Sequence, residues 1–115
     1  MEHSLDADTL RHLTDEYLAR CFAKPAPPTV SQLAAELAMP GWQLARAFYR
    51  ELRVTPATYL RNAQIERAQR LLRLTASSVD EVCFAAAFAT RMTFFRAFHR
   101  ATGMTPAQYR RSICK

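Results

Sequence analysis

The chain has 115 residues, half of them apolar and 23 % charged, with a formal net charge of +6 and a pI near 9.8. That length holds one domain or two small units sharing a core and excludes a large multi-domain enzyme. The presence of only two glycines argues against Gly-rich phosphate loops and hairpin-dense folds, and the basic excess points to a polyanionic partner.

Apolar positions recur at helical spacing along the chain, which reads as all-α. Residues 6–23 place Leu10, Leu13, Tyr17, Leu18 and Cys21 on one helix face, with acids near the start where the helix dipole favours them. Lys24-Pro25-Ala26-Pro27-Pro28 stops that helix. Thr29 then caps a short helix carrying Val30, Leu33, Ala34 and Leu37 inward. Met39-Pro40-Gly41 is a break, and a third helix starts around Trp42 with Leu44, Ala47 and Phe48 inward. Thr55-Pro56 is a start signal, an N-cap followed by Pro at the first helical position. The helix it opens runs to about Leu74 through Tyr59, Leu60, Ala63, Ile65, Ala68, Leu71 and Leu72, with residues 67–73 read as its solvated basic face. Ser78 caps another short helix, a turn follows at Phe88-Ala89-Thr90, and a sixth helix runs from about Arg91 to Ala101. Gly103 ends it, and Thr105-Pro106 opens the last. The units this predicts are 1–54, 55–75 and 76–115.

Charge is divided unevenly along this order. Residues 1–40 carry a net −3, and residues 41–115 carry +9, so the polyanion should meet the later two-thirds. Fourteen of the 16 basic residues are Arg, whose planar fork suits phosphates and guanine edges.

An internal repeat is the most informative feature. Residues 45–61 laid over 95–111 give nine identities in 17 positions, pairing Arg46 with Arg96, Phe48 with Phe98, Arg50 with Arg100, Thr55-Pro56 with Thr105-Pro106, Tyr59 with Tyr109 and Arg61 with Arg111. Each unit is a short capped helix, a tight turn, a longer Arg-bearing helix and a Thr-Pro start: a duplicated, homeodomain-like helix-turn-helix joined by one long helix. In such a unit the second helix enters the major groove of double-stranded DNA. With Phe94, Ala97 and Phe98 buried in the second unit, the expected base contacts are Trp42, Gln43, Arg46, Arg91, Met92, Thr93, Phe95 and Arg96. The expected phosphate contacts are Tyr49, Arg50, Arg61, Arg100, Arg110 and Arg111. Phe95 has two readings, a thymine methyl or a neighbouring helix, and Trp42 is either a core aromatic or a groove contact.

Over about residues 29–111 the chain resembles the DNA-binding region of the AraC/XylS transcription regulators. Ser78-Val79-Asp80-Glu81-Val82, Ala87-Phe88, Phe94, Phe98, Gly103, Thr105-Pro106 and Tyr109-Arg110 fall at that family's spacing. The resemblance implies two helix-turn-helix units on a connecting helix; the roughly 28 Å length of that helix would let a single chain reach successive major grooves and read an asymmetric site of about 20 base pairs, as a monomer expected to activate transcription. Most members add a ligand-binding domain, and this length is similar to that of the short stand-alone members. Three positions depart from the pattern: Ala87 and Arg53 stand where Gly is usual, and Pro40 where a capping Ser is common. Ala45 and Phe95 stand where polar base-contacting side chains are frequent.

No catalytic Ser/His/Asp or paired-carboxylate arrangement is recognisable, and no cofactor or metal is expected. Cys21, Cys83 and Cys114 form no C-x-x-C pair, which fits a reducing cytoplasm and three small hydrophobes. No segment has signal-peptide form or the roughly 18 apolar residues of a membrane span. The rival expectation is a regulatory module that contacts RNA polymerase or another regulator through the acidic residues 1–24, with redox gating through a cysteine as a variation.

Overall fold

Helix starts in this chain are written into single side chains. Asp6, Thr29, Thr55, Ser78, Thr90 and Thr105 each accept a hydrogen bond from the backbone N–H three residues on, at 2.8–3.1 Å. Two of these caps are reciprocal: the Glu81 carboxylate accepts from the Ser78 N–H at 2.7 Å, and the Gln108 side chain accepts from the Thr105 N–H at 2.9 Å. The computed structural model describes residues 5–113, which form α1 (Ala7–Ala23), α2 (Val30–Glu36), α3 (Gly41–Leu52), α4 (Pro56–Leu74), α5 (Val79–Ala85), α6 (Arg91–Thr102) and α7 (Pro106–Ile113). No strand occurs among the described residues.

The stops are duplicated as faithfully as the starts. Ala38 and Ala87, just past α2 and α5, both adopt left-handed backbone, at φ 54° and 62°. The next residue's N–H folds back in each case, Met39 onto the Ala34 carbonyl and Phe88 onto that of Cys83. This is the hydrogen-bond pattern that ends a helix with a left-handed residue. Arg53 and Gly103 repeat the device after α3 and α6, at φ 59° and 76°. The positions where the family pattern favours Gly are thus those where the backbone requires a positive φ. The second interhelical turn is one residue longer, and the added residue lets Thr90 cap α6, whereas Pro40 before α3 offers no side-chain bond.

Two cores form, and α4 serves both. Leu10, Tyr17, Leu18, Leu33, Leu44, Ala47 and Phe48 close around Leu60, while Val82, Ala86, Phe88, Phe94 and Phe98 close around Ile65, Ala68 and Leu72. The repeat extends further than the sequence comparison above. At the same spacing of 50, buried Leu10, Thr14 and Leu18 of α1 correspond to Leu60, Gln64 and Ala68 of α4. The edge-on pairs Phe48–Tyr59 and Phe98–Tyr109 also correspond, with ring centroids 5.6 and 5.3 Å apart. Each unit is therefore three helices, α1–α3 and α4–α6, closed by the start of a fourth, and α4 is both the closing helix of the first unit and the opening helix of the second. The result measures 55 × 26 × 22 Å.

Three expectations are corrected in detail. Leu13 is only half-buried, because Thr14 takes the inward position and satisfies its hydroxyl by donating to the Leu10 carbonyl at 2.7 Å. Ala97 is half-buried, since it borders a groove between α4 and α6. Arg67 does not belong to a solvated face. Its guanidinium donates to the Ala85 carbonyl at 2.8 Å and lies over the Phe22 ring.

Candidate nucleic-acid interface

The face of α3 turned away from the first core carries Trp42, Gln43, Ala45, Arg46, Tyr49 and Arg50, all exposed. Trp42 and Tyr49 leave 64 % and 62 % of their surface accessible, so Trp42 is an outward aromatic and not part of the core. An outward aromatic beside Arg46 on the same helix offers a ring to stack on or to meet an apolar base edge. Arg50 pairs with Glu51 at 3.0 Å, and the Arg53 guanidinium covers the Tyr49 ring.

On α6 the outward set is Arg91, Met92, Arg96 and Arg100, with Met92 63 % accessible. Arg91 is held at the helix start by Asp80 at 3.1 Å and stacks 5.2 Å over the Phe95 ring. Thr93 is half-buried, and its hydroxyl accepts from the Thr90 cap at 3.0 Å. Phe95, read from the sequence as outward, is half-buried: its ring turns back edge-on against Phe94, with centroids 5.7 Å apart, and joins the second core. The ring is thus held by its own helix and the second core, because Phe94 and Arg91 lie within reach on α6.

Arg46 and Arg96 stand at equivalent places in the two units. Among the described residues neither enters an ion pair or stacks on a ring. Both heads are thus free to fork onto an external acceptor. Arg96 also lines a groove of about 400 Å³ between α6 and the start of α4, where Arg61 and Arg100 converge with Thr58, Asn62 and Thr93. Arg61 lies over the Phe88 ring, and partial desolvation there lowers its pKa from the usual range. Three guanidiniums around one concavity concentrate positive potential there.

The C-terminal arginines divide. Arg111 is exposed, whereas Arg110 bonds to the Leu72 and Thr75 carbonyls at 3.1 and 3.2 Å and so closes the C-terminus of α4. A cation at that end also suits the helix dipole. Two of the guanidinium's N–H groups are thereby engaged inside the fold.

Gln64 is a supporting residue that the sequence reading missed. It is buried in the middle of α4, and its amide donates to the Ala86 and Ala87 carbonyls at 3.3 and 2.9 Å, which ties the α5–α6 turn to the shared helix. A polar residue on an otherwise apolar face of α4 was the available signal. Cys21 and Cys83 are buried, and burial followed by the nearby Asp80 charge pushes the Cys83 thiol up. A raised thiol pKa reduces thiolate reactivity. Cys114 lies outside the described residues. Among those residues no helix is long and apolar enough to cross a membrane.

Two helix-turn-helix units sharing one helix, each presenting an Arg-bearing second helix, define a duplicated helix-turn-helix protein. A helix-turn-helix domain family matches residues 33–112. The right origin-binding protein of Escherichia coli K12 is 31 % identical over 86 residues, 75 % of this chain and 30 % of that protein, so the chain spans about a third of the length of such relatives. Among solved structures, the DNA-binding domain of AdpA, a global transcriptional factor, in complex with a target DNA superposes with a TM-score of 0.80 at 28 % identity, covering 90 % of each chain. The C-terminal domain of the response regulator AraT from Geobacillus stearothermophilus superposes with a TM-score of 0.79 at 27 % identity, covering 90 % of this chain and 84 % of that one. The chain belongs to the AraC-type helix-turn-helix family of DNA-binding transcription regulators.

Proposed function

We propose that the chain reads an asymmetric DNA site of about 20 base pairs as a monomer, with α3 and α6 in successive major grooves, and activates transcription from it. The observation that carries this reading is the pair Arg46 and Arg96: one outward guanidinium at the same place on each second helix, without an ion pair or ring partner among the described residues. A bidentate Arg on guanine O6 and N7 is the commonest specific contact in the major groove. The 19 residues of α4 span about 28 Å, and successive major grooves on one side of a duplex lie about 34 Å apart. The difference is made up by offset of the helices or by bending the DNA toward the protein, at a cost of about 1–6 kcal/mol that depends on the sequence bent.

Trp42, Gln43 and Met92 are assigned to base edges, and Tyr49, Arg50, Arg61, Arg100 and Arg111 to phosphates. Phe95 supports Arg91 from below. Selection of bound duplexes from a random pool, followed by titration across salt, tests the reading. The expected outcome is one asymmetric consensus and a log–log slope of about −0.9 for each phosphate neutralised. Arg46→Ala and Arg96→Ala should each weaken binding by about 1–3 kcal/mol and relax preference at a base pair in one half of the site only. Equal affinity for every duplex, or equal loss on all sequences in both variants, overturns it.

A further inference from the structure

Among the described residues, α4 is the element that enters both apolar clusters. The first apolar cluster takes its last fully buried residue from Leu60 and the second takes its first from Ile65, so the clusters meet end to end on one helix. A lone helix bends, with ordinary curvature radii of about 60–100 Å. Over the length of α4 the difference between a straight helix and one so curved displaces one recognition helix by several ångströms relative to the other. Base-edge hydrogen bonds tolerate far less than this.

One side chain lies across the junction. Arg67, half-buried near the middle of α4, stacks its guanidinium 4.9 Å from the centre of the Phe22 ring at the end of α1, and donates from Nε to the Ala85 carbonyl at the end of α5. Among the described residues it is the side chain whose polar and ring contacts reach both α1 and α5. The two contacts are compatible because a guanidinium offers its face to a ring and its edge to an acceptor at once. Phe22 is itself packed against the first core, and Ala85 lies beside the Ala86 and Ala87 carbonyls that Gln64 holds. Each end of the clasp is therefore anchored to a rigid part of its own unit.

We infer that Arg67 is a positioning residue that sets the angle between the two units, and through it the separation of half-sites the protein accepts. This rests on the two-groove reading above. One extra base pair between the half-sites turns the second groove by about 35° along a duplex of 10–10.5 base pairs per turn. A clasped protein should meet that change with a large loss of affinity, whereas an unclasped one can follow it by bending α4.

The test titrates the full chain against duplexes carrying its selected site with the spacing between halves unchanged, shortened by one base pair or lengthened by one. For the unaltered protein the expected ratio between the best and the altered spacings is about tenfold, in the range of one mismatched base pair. Arg67→Ala should bind the best spacing a few-fold more weakly and show a ratio near two. Phe22→Leu, which keeps apolar packing but removes the ring face, should flatten the profile in the same way, and Phe22→Tyr, which keeps the face, should restore it. A profile that keeps its tenfold ratio in Arg67→Ala and Phe22→Leu, with all affinities lowered equally, overturns the inference and leaves Arg67 a stabilising residue only. Failure of the unaltered protein to distinguish spacings overturns the two-groove reading instead.

Discussion

The two units are copies built with different amounts of local insurance. In the second, Ser78 and Glu81 cap α5 reciprocally, Thr90 caps α6, and Gly103 supplies the left-handed stop without a side chain to strain. In the first, Thr29 caps α2 alone, Pro40 leaves α3 uncapped by a side chain, and Arg53 occupies the left-handed stop. The cores differ in the same direction: Phe88, Phe94 and Phe98 form a continuous aromatic chain, where the first unit has Met39, Leu44 and a single Phe48 at the corresponding positions. The same architecture is thus reached with strong local signals in one unit and mainly by burial in the other, so the first unit should open more readily.

Core truncation at equivalent positions tests that contrast most forcefully. Phe94→Ala should destabilise by about 3–5 kcal/mol and Leu44→Ala by about 2–5 kcal/mol. Hydrogen exchange should show each loss concentrated in its own unit, and a loss spread evenly over both would mean that α4 makes them one cooperative body. The left-handed stops come next. Gly103→Ala meets no atom within 4 Å, so its cost is conformational, about 1–2 kcal/mol, and Arg53→Gly should stabilise the first unit by a comparable amount in urea unfolding. If Arg53→Gly destabilises, the stacking of Arg53 on Tyr49 outweighs the strain.

Caps give a smaller effect: Thr90→Ala should cost about 1 kcal/mol, read from the thermal midpoint. The same substitution at Pro40 removes no cap and should fall well below it. A last effect is in pH. Burial, then the bond to Asp15, pushes the Tyr59 hydroxyl up to about 12. The folded state holds this proton more tightly than the unfolded chain, whose Tyr titrates near 10, so the contribution is complete below about pH 10 and lost as pH climbs toward 12. Tyr59→Phe should flatten urea midpoints across that window relative to the unaltered chain, and parallel curves would refute the assignment.

Most of the architecture was legible because the chain announces it locally. Thr29, Thr55-Pro56, Ser78 and Thr105-Pro106 mark starts that need no tertiary information, and the observed helices begin beside them. The place of α1 was not legible as a copy of the opening part of α4. Only its buried positions correspond, and Thr14 against Gln64 shows how little a buried site needs to keep its identity when each polar group finds its own carbonyl. At the site, the outward Arg46 and Arg96 followed from the helical period, whereas Trp42 had two readings until its helix was placed. Phe95, Arg67 and Arg110 did not, since each is claimed by a neighbour from a part of the chain or a rotamer that the period does not encode. For Arg67 and Arg110 the claim is a carbonyl on another helix, and long cationic side chains on a helix surface read as solvated until that helix is placed.

The shared helix also governs how this protein could be recombined. A chimera cut between residues 54 and 55 would separate Phe48 from Tyr59 and remove Leu60 from the core it completes. A graft of the first unit onto a foreign partner must therefore carry at least the opening turns of α4. Those same turns bring Arg61, which sits over Phe88 of the other unit. Reading heads in such a protein are exchanged as overlapping segments, and a change of specificity in one half arrives with part of the seam to the other.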